Sequence, residues 1–330
     1  MLTRAEIKGF KCLRDVSVDL RPFNVLIGPN DSGKSSFLQA LREPSRLAVE
    51  QRWSASMVGS IHLRTRDGDL NVLIDDQRGI EAALNYGNLA LVPASRRRED
   101  ARIFLGVSAP LALDPREISS PSPRGSGALD RLIASRGRGT AAPLARVALG
   151  DRARYEAIQQ GMRAVTGGRV REVLVGEDTG DGYPLSFRLH DGTVIPAQES
   201  SQGLLIYLAV LALIHRDDDP SVLLIEEPEN GLHPLRLFEV VGLLRTLTER
   251  GVQIFLTTHS PDLLNACAPE EVLVFRRPEP DSGTEIHRLP ADFRRRAMGD
   301  TVGQVWASTG EEGLLDMLPK VEPTIRAEVK

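Results

Sequence analysis

The sequence predicts an α/β fold: a mostly parallel central sheet, an added antiparallel β part, and a small helical or irregular insertion. Three observations predict it. Between residues 203 and 275, short continuous apolar runs alternate with helical patterns, as parallel strands with crossover helices require. Near the N-terminus an apolar run, residues 23–27, ends at Gly28 and gives way to a helical pattern, so strand, glycine loop and helix follow in that order. Residues 60–76 and 170–195 instead show short strands broken by turn residues, the pattern of antiparallel pairing.

Taken in order, residues 7–20 alternate loosely, with Val16, Val18 and Leu20 on one face, which predicts strands or a hairpin. The helix after the glycine loop is expected over 34–43, stopping at Pro44. Residues 60–76 read as two strands joined at Asp67-Gly68, and 90–93 as a further short strand. From 106 to 150 the chain reads as irregular, with a turn-rich stretch of Ser, Pro and Gly at 119–127. A helix is expected over 151–165. Strands follow at 170–175 and 185–189, with a turn at Asp191-Gly192 before 193–195. The last third predicts an apolar helix at 203–215, strands at 222–225 and 254–257, an amphipathic helix at 234–249 and a short helix at 261–267. Strands at 272–275 and 285–289 close the sheet. Neither repeats nor heptads are visible.

Hydrophobic residues make up 41% of the 330 and charged residues 26%, an ordinary globular balance. The apolar run at 204–214 is too short to span a bilayer and fits a buried helix. Residues 1–11 carry charges and no apolar h-region, so no secretory signal is read there. The two cysteines, Cys12 and Cys267, form neither a disulfide framework nor a metal-type spacing; small buried thiols in a reducing, cytoplasmic setting are expected. The net charge of −4 argues against wholesale coating of nucleic acid. A local basic stretch is present: residues 91–172 hold fifteen arginines against eight acids, densest at Arg96-Arg97-Arg98 and at Arg136 and Arg138. Backbone phosphates of DNA or RNA need little more than such a cluster, and a solvated arginine-rich face reads the same way.

Gly28-Pro29-Asn30-Asp31-Ser32-Gly33-Lys34-Ser35 fits the phosphate-binding spacing G-x-x-x-x-G-K-[ST]. A tight loop must aim several backbone N–H groups at phosphate oxygens, glycine permits the dihedrals, and the following helix N-terminus favours anions. Asn30, Asp31, Ser32, Gly33, Lys34, Ser35 and Ser36 are therefore candidate nucleotide contacts. Lys34 is expected to reach the β- and γ-phosphates, and Ser35 to ligate Mg²⁺. Residues 222–225 are four apolar residues that end in Glu226 and Glu227, at the strand edge where α/β sheets bind ligands. Glu226 is the candidate metal ligand and Glu227 the candidate general base. His259 ends the next apolar strand, placed to sense a γ-phosphate. Ser201, Gln202 and Gly203 open the apolar helix, with Ser201 as its cap and a second anion site at its N-terminus.

Together these residues resemble the ABC-type ATPase heads of the RecF/SMC and OLD group. More narrowly, they are similar to the stand-alone AAA-type ATPases of bacterial anti-phage and toxin-like operons. Four pieces carry the resemblance in order: Ala5-Glu6-Ile7-Lys8-Gly9-Phe10-Lys11-Cys12-Leu13, the Gly28 loop, Glu226-Glu227-Pro228-Glu229-Asn230-Gly231-Leu232-His233-Pro234, and Thr258-His259-Ser260-Pro261. The resemblance implies a P-loop ABC-ATPase head over 1–275, with about 100–165 inserted, and a C-terminal extension, 276–330, packed on it. It implies ATP and Mg²⁺ as cofactors and a head-to-tail dimer or higher oligomer. In that dimer Ser201-Gln202-Gly203 meets the γ-phosphate held by the other copy, although the full Leu-Ser-Gly-Gly-Gln form is absent. Asn230 and His233 fall in the segment that couples the two sites. Gln77 is the candidate for a further glutamine contact and Arg96 for a nucleotide contact. Neither a coiled-coil arm nor a nuclease pattern is visible, so the resemblance implies a separate effector, nuclease or toxin, encoded nearby. A RecF-like DNA clamp and an ATP-dependent scaffold remain open as alternatives.

Overall fold

The computed structural model describes residues 1–50, 59–65, 68–75, 79–86, 89–92, 107–108, 110–122, 135–177, 182–216, 219–279 and 281–318, with backbone alone for 46–50, 68 and 70–92. The elements follow in this order: β1 Leu2–Phe10, β2 Leu13–Asp19, β3 Phe23–Ile27, α1 Lys34–Glu50, β4 Gly59–Thr65, β5 Gly68–Asp75, β6 Gly79–Tyr86 and β7 Leu89–Val92. Next come α2 Pro115–Ser119, α3 Ala141–Gly150, α4 Arg152–Val165, β8 Val170–Val175, β9 Leu185–Leu189, β10 Val194–Pro196 and α5 Gln202–Ile214. The chain continues through β11 Val222–Glu226, α6 Pro234–Glu249, β12 Gln253–Thr257, α7 Pro261–Asn265, β13 Val272–Arg276, β14 Glu285–Arg288, α8 Phe293–Arg296 and α9 Val302–Asp316.

Three sheets result. The central one has the order β11-β12-β3-β13-β14, parallel throughout except for the last pair. An antiparallel sheet runs β2-β1-β4-β5-β6-β7, and a small antiparallel one β10-β9-β8. The fold is thus α/β, with a mostly parallel central sheet and antiparallel sheets beside it, as the sequence predicts.

The central strands explain the layering. Every residue of β3 is buried, as a strand covered on both faces must be. Alternate residues then divide between two cores. Val25, Ile27, Leu223, Ile225, Ile254, Leu256, Val272 and Val274 pack with α5 and α6. Leu26, Val222, Leu224, Phe255, Leu273 and Phe275 pack with α1 and the inner faces of β1, β2 and β4. Phe37 of α1 lies at the middle of this second core, its ring 5.6 Å from Phe275 and 6.4 Å from Phe255. The fully buried Gln253 joins the two sheets. It accepts from the Leu2 N–H at 2.8 Å and donates to the carbonyls of Leu2 and Arg21 at 2.9 and 2.7 Å.

Three sequence expectations are corrected. The first helix does not stop at Pro44 but continues to Glu50, since an internal proline removes one ladder hydrogen bond without preventing the next turn. The stretch 106–150 is not irregular throughout: α3 buries Ala141, Ala142, Leu144, Ala145 and Val147, and its Pro143 lies in the first turn, where no N–H partner is needed. Residues 79–86 form β6, a strand left unread.

Burial pushes the Cys267 thiol from its ordinary value of 9.0 up to about 12, and its Sγ donates to the Leu263 carbonyl at 3.3 Å. The folded chain keeps this proton between pH 9 and 12 while the unfolded chain releases it. The associated stability is fully present below pH 9 and is lost as pH rises through the folded value. Urea midpoints measured from pH 8 to 11 are expected to fall more steeply for the natural chain than for Cys267→Ala.

Candidate functional site

In parallel strands all carboxyl ends lie on one edge. β11, β12 and β3 are neighbours, so the segments after Glu226, Thr257 and Ile27 emerge side by side. They line a cleft of about 810 Å³ whose walls include Asn30, Asp31, Ser32, Gly33, Lys34, Ser35, Ser36, Glu226, Glu227, Asn230 and His259. Sequence candidates drawn from three separate segments thus share one cavity.

The glycine loop follows β3 directly. Positive φ values at Gly28 (142°), Asp31 (61°) and Gly33 (104°) turn the backbone back on itself before α1 begins. A Cβ on Gly28 would lie 2.1 Å from the Phe275 carbonyl oxygen, and one on Gly33 2.4 Å from Thr284 Oγ1. Both positions therefore require glycine on space as well as on dihedral grounds. Thr284 Oγ1 donates to the Ser32 carbonyl at 2.9 Å and fixes the loop from a residue 252 positions away. Ser32 Oγ is buried without a protein partner. Lys34 Nζ donates to the carbonyls of Gly28 and Pro29, both at 2.8 Å. Burial lowers its pKa, against the opposing pull of Glu227, Asp31 and Glu311.

Glu227 follows β11 in the left-handed region, φ 45°. Its N–H donates to the Thr257 carbonyl at 3.0 Å and lies 3.3 Å from Thr257 Oγ1. One carboxylate oxygen accepts from Asn230 Nδ2 at 3.0 Å; the other is 3.8 Å from His259 Nε2, beyond direct hydrogen bonding. Glu229 sets the histidine loop: its Oε1 accepts from Thr258 Oγ1 at 2.8 Å and from the His259 N–H at 2.7 Å. Ser260 caps α7 through the Leu263 N–H.

Ser201, Gln202, Gly203 and His233 are not among the residues that line the cleft. Ser201 and Gln202 are exposed at the start of α5, and Ser201 occupies the cap position without the side-chain hydrogen bond expected of it. Gly203 presses on the loop after Glu227: a Cβ there would lie 2.9 Å from the Gly231 carbonyl oxygen. His233 is exposed and caps α6, its Nδ1 accepting from the Leu235 N–H at 3.3 Å. Gln77, Arg96, Arg97 and Arg98 lie outside the described residues. Arg136 and Arg138 are paired, with Asp114 at 2.5 Å and Glu117 at 4.0 Å.

Several cleft residues escaped the sequence reading. Val107, Ser108 and Leu111 lie along the edge of β11, joined by the Leu111 N–H to the Leu224 carbonyl and the Glu226 N–H to the Leu111 carbonyl. This carries Asp114 and Arg136 to the cleft wall, where Lys11, Cys12, Thr257 and Arg277 also lie. Lys11 and Cys12 belong to the N-terminal piece of the resemblance, Arg136 to the basic stretch and Thr257 to the strand before the Thr-His pair, while Asp114 and Arg277 carried no local signal.

This fold and site define an ABC-type AAA ATPase of the RecF/SMC/OLD group. Residues 88–265 match the family model described as "AAA domain, putative AbiEii toxin, Type IV TA system", and the chain belongs to that family; residues 1–86 match an AAA ATPase domain. An OLD nuclease of Thermus scotoductus is 42% identical over 41 residues, which are 12% of this chain and only 8% of that protein's length. Among solved structures, the Smc head bound to the C-winged helix domain of ScpA superposes with a TM-score of 0.62 at 14% identity, over 87% of this chain and 98% of that one. A Smc head with an extended coiled coil, bound to the C-terminal domain of ScpA derived from Pyrococcus furiosus, gives 0.60 at 14%, over 90% and 98%. Among the described residues, no helix is long and apolar enough to cross a membrane.

A non-glycine residue in the left-handed region costs about 1–2 kcal/mol. Glu227→Gly is therefore expected to raise stability by about 1 kcal/mol in thermal denaturation.

Proposed function

We propose that the chain binds ATP with Mg²⁺ in this cleft and hydrolyses it slowly, as a head-to-tail dimer that controls a separate effector polypeptide. The observation that carries the reading is the convergence of Lys34, Glu227 and His259 on one cleft, each from a different segment following a parallel strand.

The residues fit the cofactors. Ser32 Oγ is buried and unpartnered beside a cradle in which the backbone leaves no room for a Cβ, as a loop shaped for phosphate oxygens requires. No group of three or more His, Cys, Asp or Glu able to hold a metal occurs among the described residues. One hydroxyl, Ser35, and one carboxylate, Glu226, are what Mg²⁺ uses when substrate phosphates and water complete its shell. When bound, Mg²⁺ would neutralise charge on the β- and γ-phosphates. Lys34 supplies the second positive charge. Glu227 accepts a proton from the water that attacks the γ-phosphorus, as the bond to the bridging oxygen of ADP breaks. His259 donates to a γ-phosphate oxygen. Asn230 holds Glu227 through its Oε2.

The dimer reading is supported by the placing of Ser201-Gln202-Gly203. These residues do not line their own cleft but pack on the loop that carries Asn230, so one copy's α5 terminus and coupling loop form a single surface. Leu235 (72% exposed) and Phe238 (48%) flank it and offer apolar area to a second copy. In this reading 1–275 act as the head, with about 100–165 inserted, and 276–330 as an extension. The toxin and nuclease named for the matched family and relative point to the effector class: a nuclease or toxin acting in anti-phage defence.

Lys34→Ala is expected to lower ATP affinity at least about tenfold in isothermal titration, since a charged phosphate partner is lost. Glu227→Gln is expected to abolish turnover and to leave an ATP-dependent dimer visible by light scattering. Full affinity in the first variant, or full turnover in the second, refutes the site. A monomer at every nucleotide concentration refutes the two-copy arrangement alone.

A further inference from the structure

The site as described leaves α9 without a role, yet this helix touches it. Its start is fixed by a capping box: Thr301 Oγ1 accepts from the Gln304 N–H at 3.2 Å, and Gln304 Oε1 accepts from the Thr301 N–H at 2.8 Å. The second helical residue is Gly303. A Cβ there would lie 2.2 Å from the Pro261 carbonyl oxygen and 2.6 Å from Asn265 Oδ1, so α9 rests directly on α7. Helix α7 begins two residues after His259. One turn beyond Gly303, on the same helix face, stands Trp306. Its ring stacks on the His259 imidazole, with centroids 6.2 Å apart and planes inclined by 30°. Glu227 Oε1 approaches the same imidazole at 3.8 Å. The rest of the loop is held by Glu229, at Thr258 Oγ1 and at the His259 N–H, and by the Ser260 cap, none of which touches the imidazole. Nothing else described fixes the direction of an imidazole that is itself exposed.

We propose that Trp306 is a positioning residue for His259: the close contact of Gly303 with α7 sets the indole against the imidazole and aims it into the cleft beside Glu227. The inference rests on the ATPase reading above. α9 has a second link to the cleft. It breaks at Gly310 (φ 66°, ψ −158°), and Glu311, just past the break, lies close enough for its charge to act on Lys34.

The test is steady-state ATP hydrolysis by the full chain carrying Trp306→Ala, Trp306→Phe or Gly303→Ala, each with and without His259→Ala. Trp306→Ala is expected to lower kcat on the order of 10- to 100-fold, the loss that misplacing a reacting group brings, with KM changed less than about threefold. Trp306→Phe, which keeps a ring over the imidazole, restores most of the rate. In the His259→Ala chain the same substitution is expected to cost nothing more. An unchanged kcat, or an equal loss with and without His259, overturns the proposal. A second measurement needs no truncation of the ring. In a Trp53→Phe chain Trp306 is the sole tryptophan, and ATP with Mg²⁺ is expected to shift its emission when His259 is present and not when it is alanine. The same shift in both overturns the proposal. Absence of any turnover in the natural chain overturns the ATPase reading and this inference together; normal turnover with a neutral Trp306→Ala overturns this inference alone.

Discussion

The cleft depends on a steric constraint, the exclusion of side-chain volume from the turn between β3 and α1. The Phe275 carbonyl and the Thr284 hydroxyl occupy the space that a Cβ at Gly28 or Gly33 would need. The loop is therefore moulded from outside as much as by its own dihedrals. The strand supplying Phe275 is the parallel neighbour of β3, so the same pairing that builds the sheet shapes the glycine loop. Everything else in the site is registered against that cradle. Lys34 is drawn back onto the loop's own carbonyls, and β11 and β12 bring their terminal residues level with it.

Around the cradle the polar groups are held by one another. Glu229 ties the histidine loop to the glutamate loop, Asn230 holds Glu227, and the Thr257 carbonyl receives the N–H of Glu227 in its left-handed conformation. Such backbone strain persists only where surrounding contacts over-determine it. Here it turns a carboxylate that would otherwise continue the strand's alternation toward the cavity.

Much of this was legible in the sequence, because the informative pieces were local. The bounds of α6 and β8 and the placing of β3 and β12 follow from apolar runs and turn residues, which act over a few positions. Glu226, Glu227 and His259 were readable because each stands at or just past the end of such a strand, and Lys34 because the spacing of the glycine loop fixes its place. What escaped was non-local. Nothing near Thr284 says that it bonds a carbonyl at residue 32, and nothing near Asp114 says that Val107, Ser108 and Leu111 will lie along β11. Pro44 misled because the rule it invokes concerns a single hydrogen bond, whereas α1 is held by the burial of Phe37, Leu38 and Leu41. The capping expectation at Ser201 gave the right residue and the wrong bond, since chain direction can define a helix start without a side-chain acceptor.

The clamp that Gln253 places on Leu2 has a practical side. It lies at the amino end of β12, the edge of the central sheet opposite the cleft, and fixes the chain's first strand there. Anything tethered to the amino terminus therefore departs from the far side of the molecule. A surface coupled through that end presents the cleft, the α5 terminus and the loop after β11 freely to the medium, which suits this terminus to anchoring the protein for binding measurements.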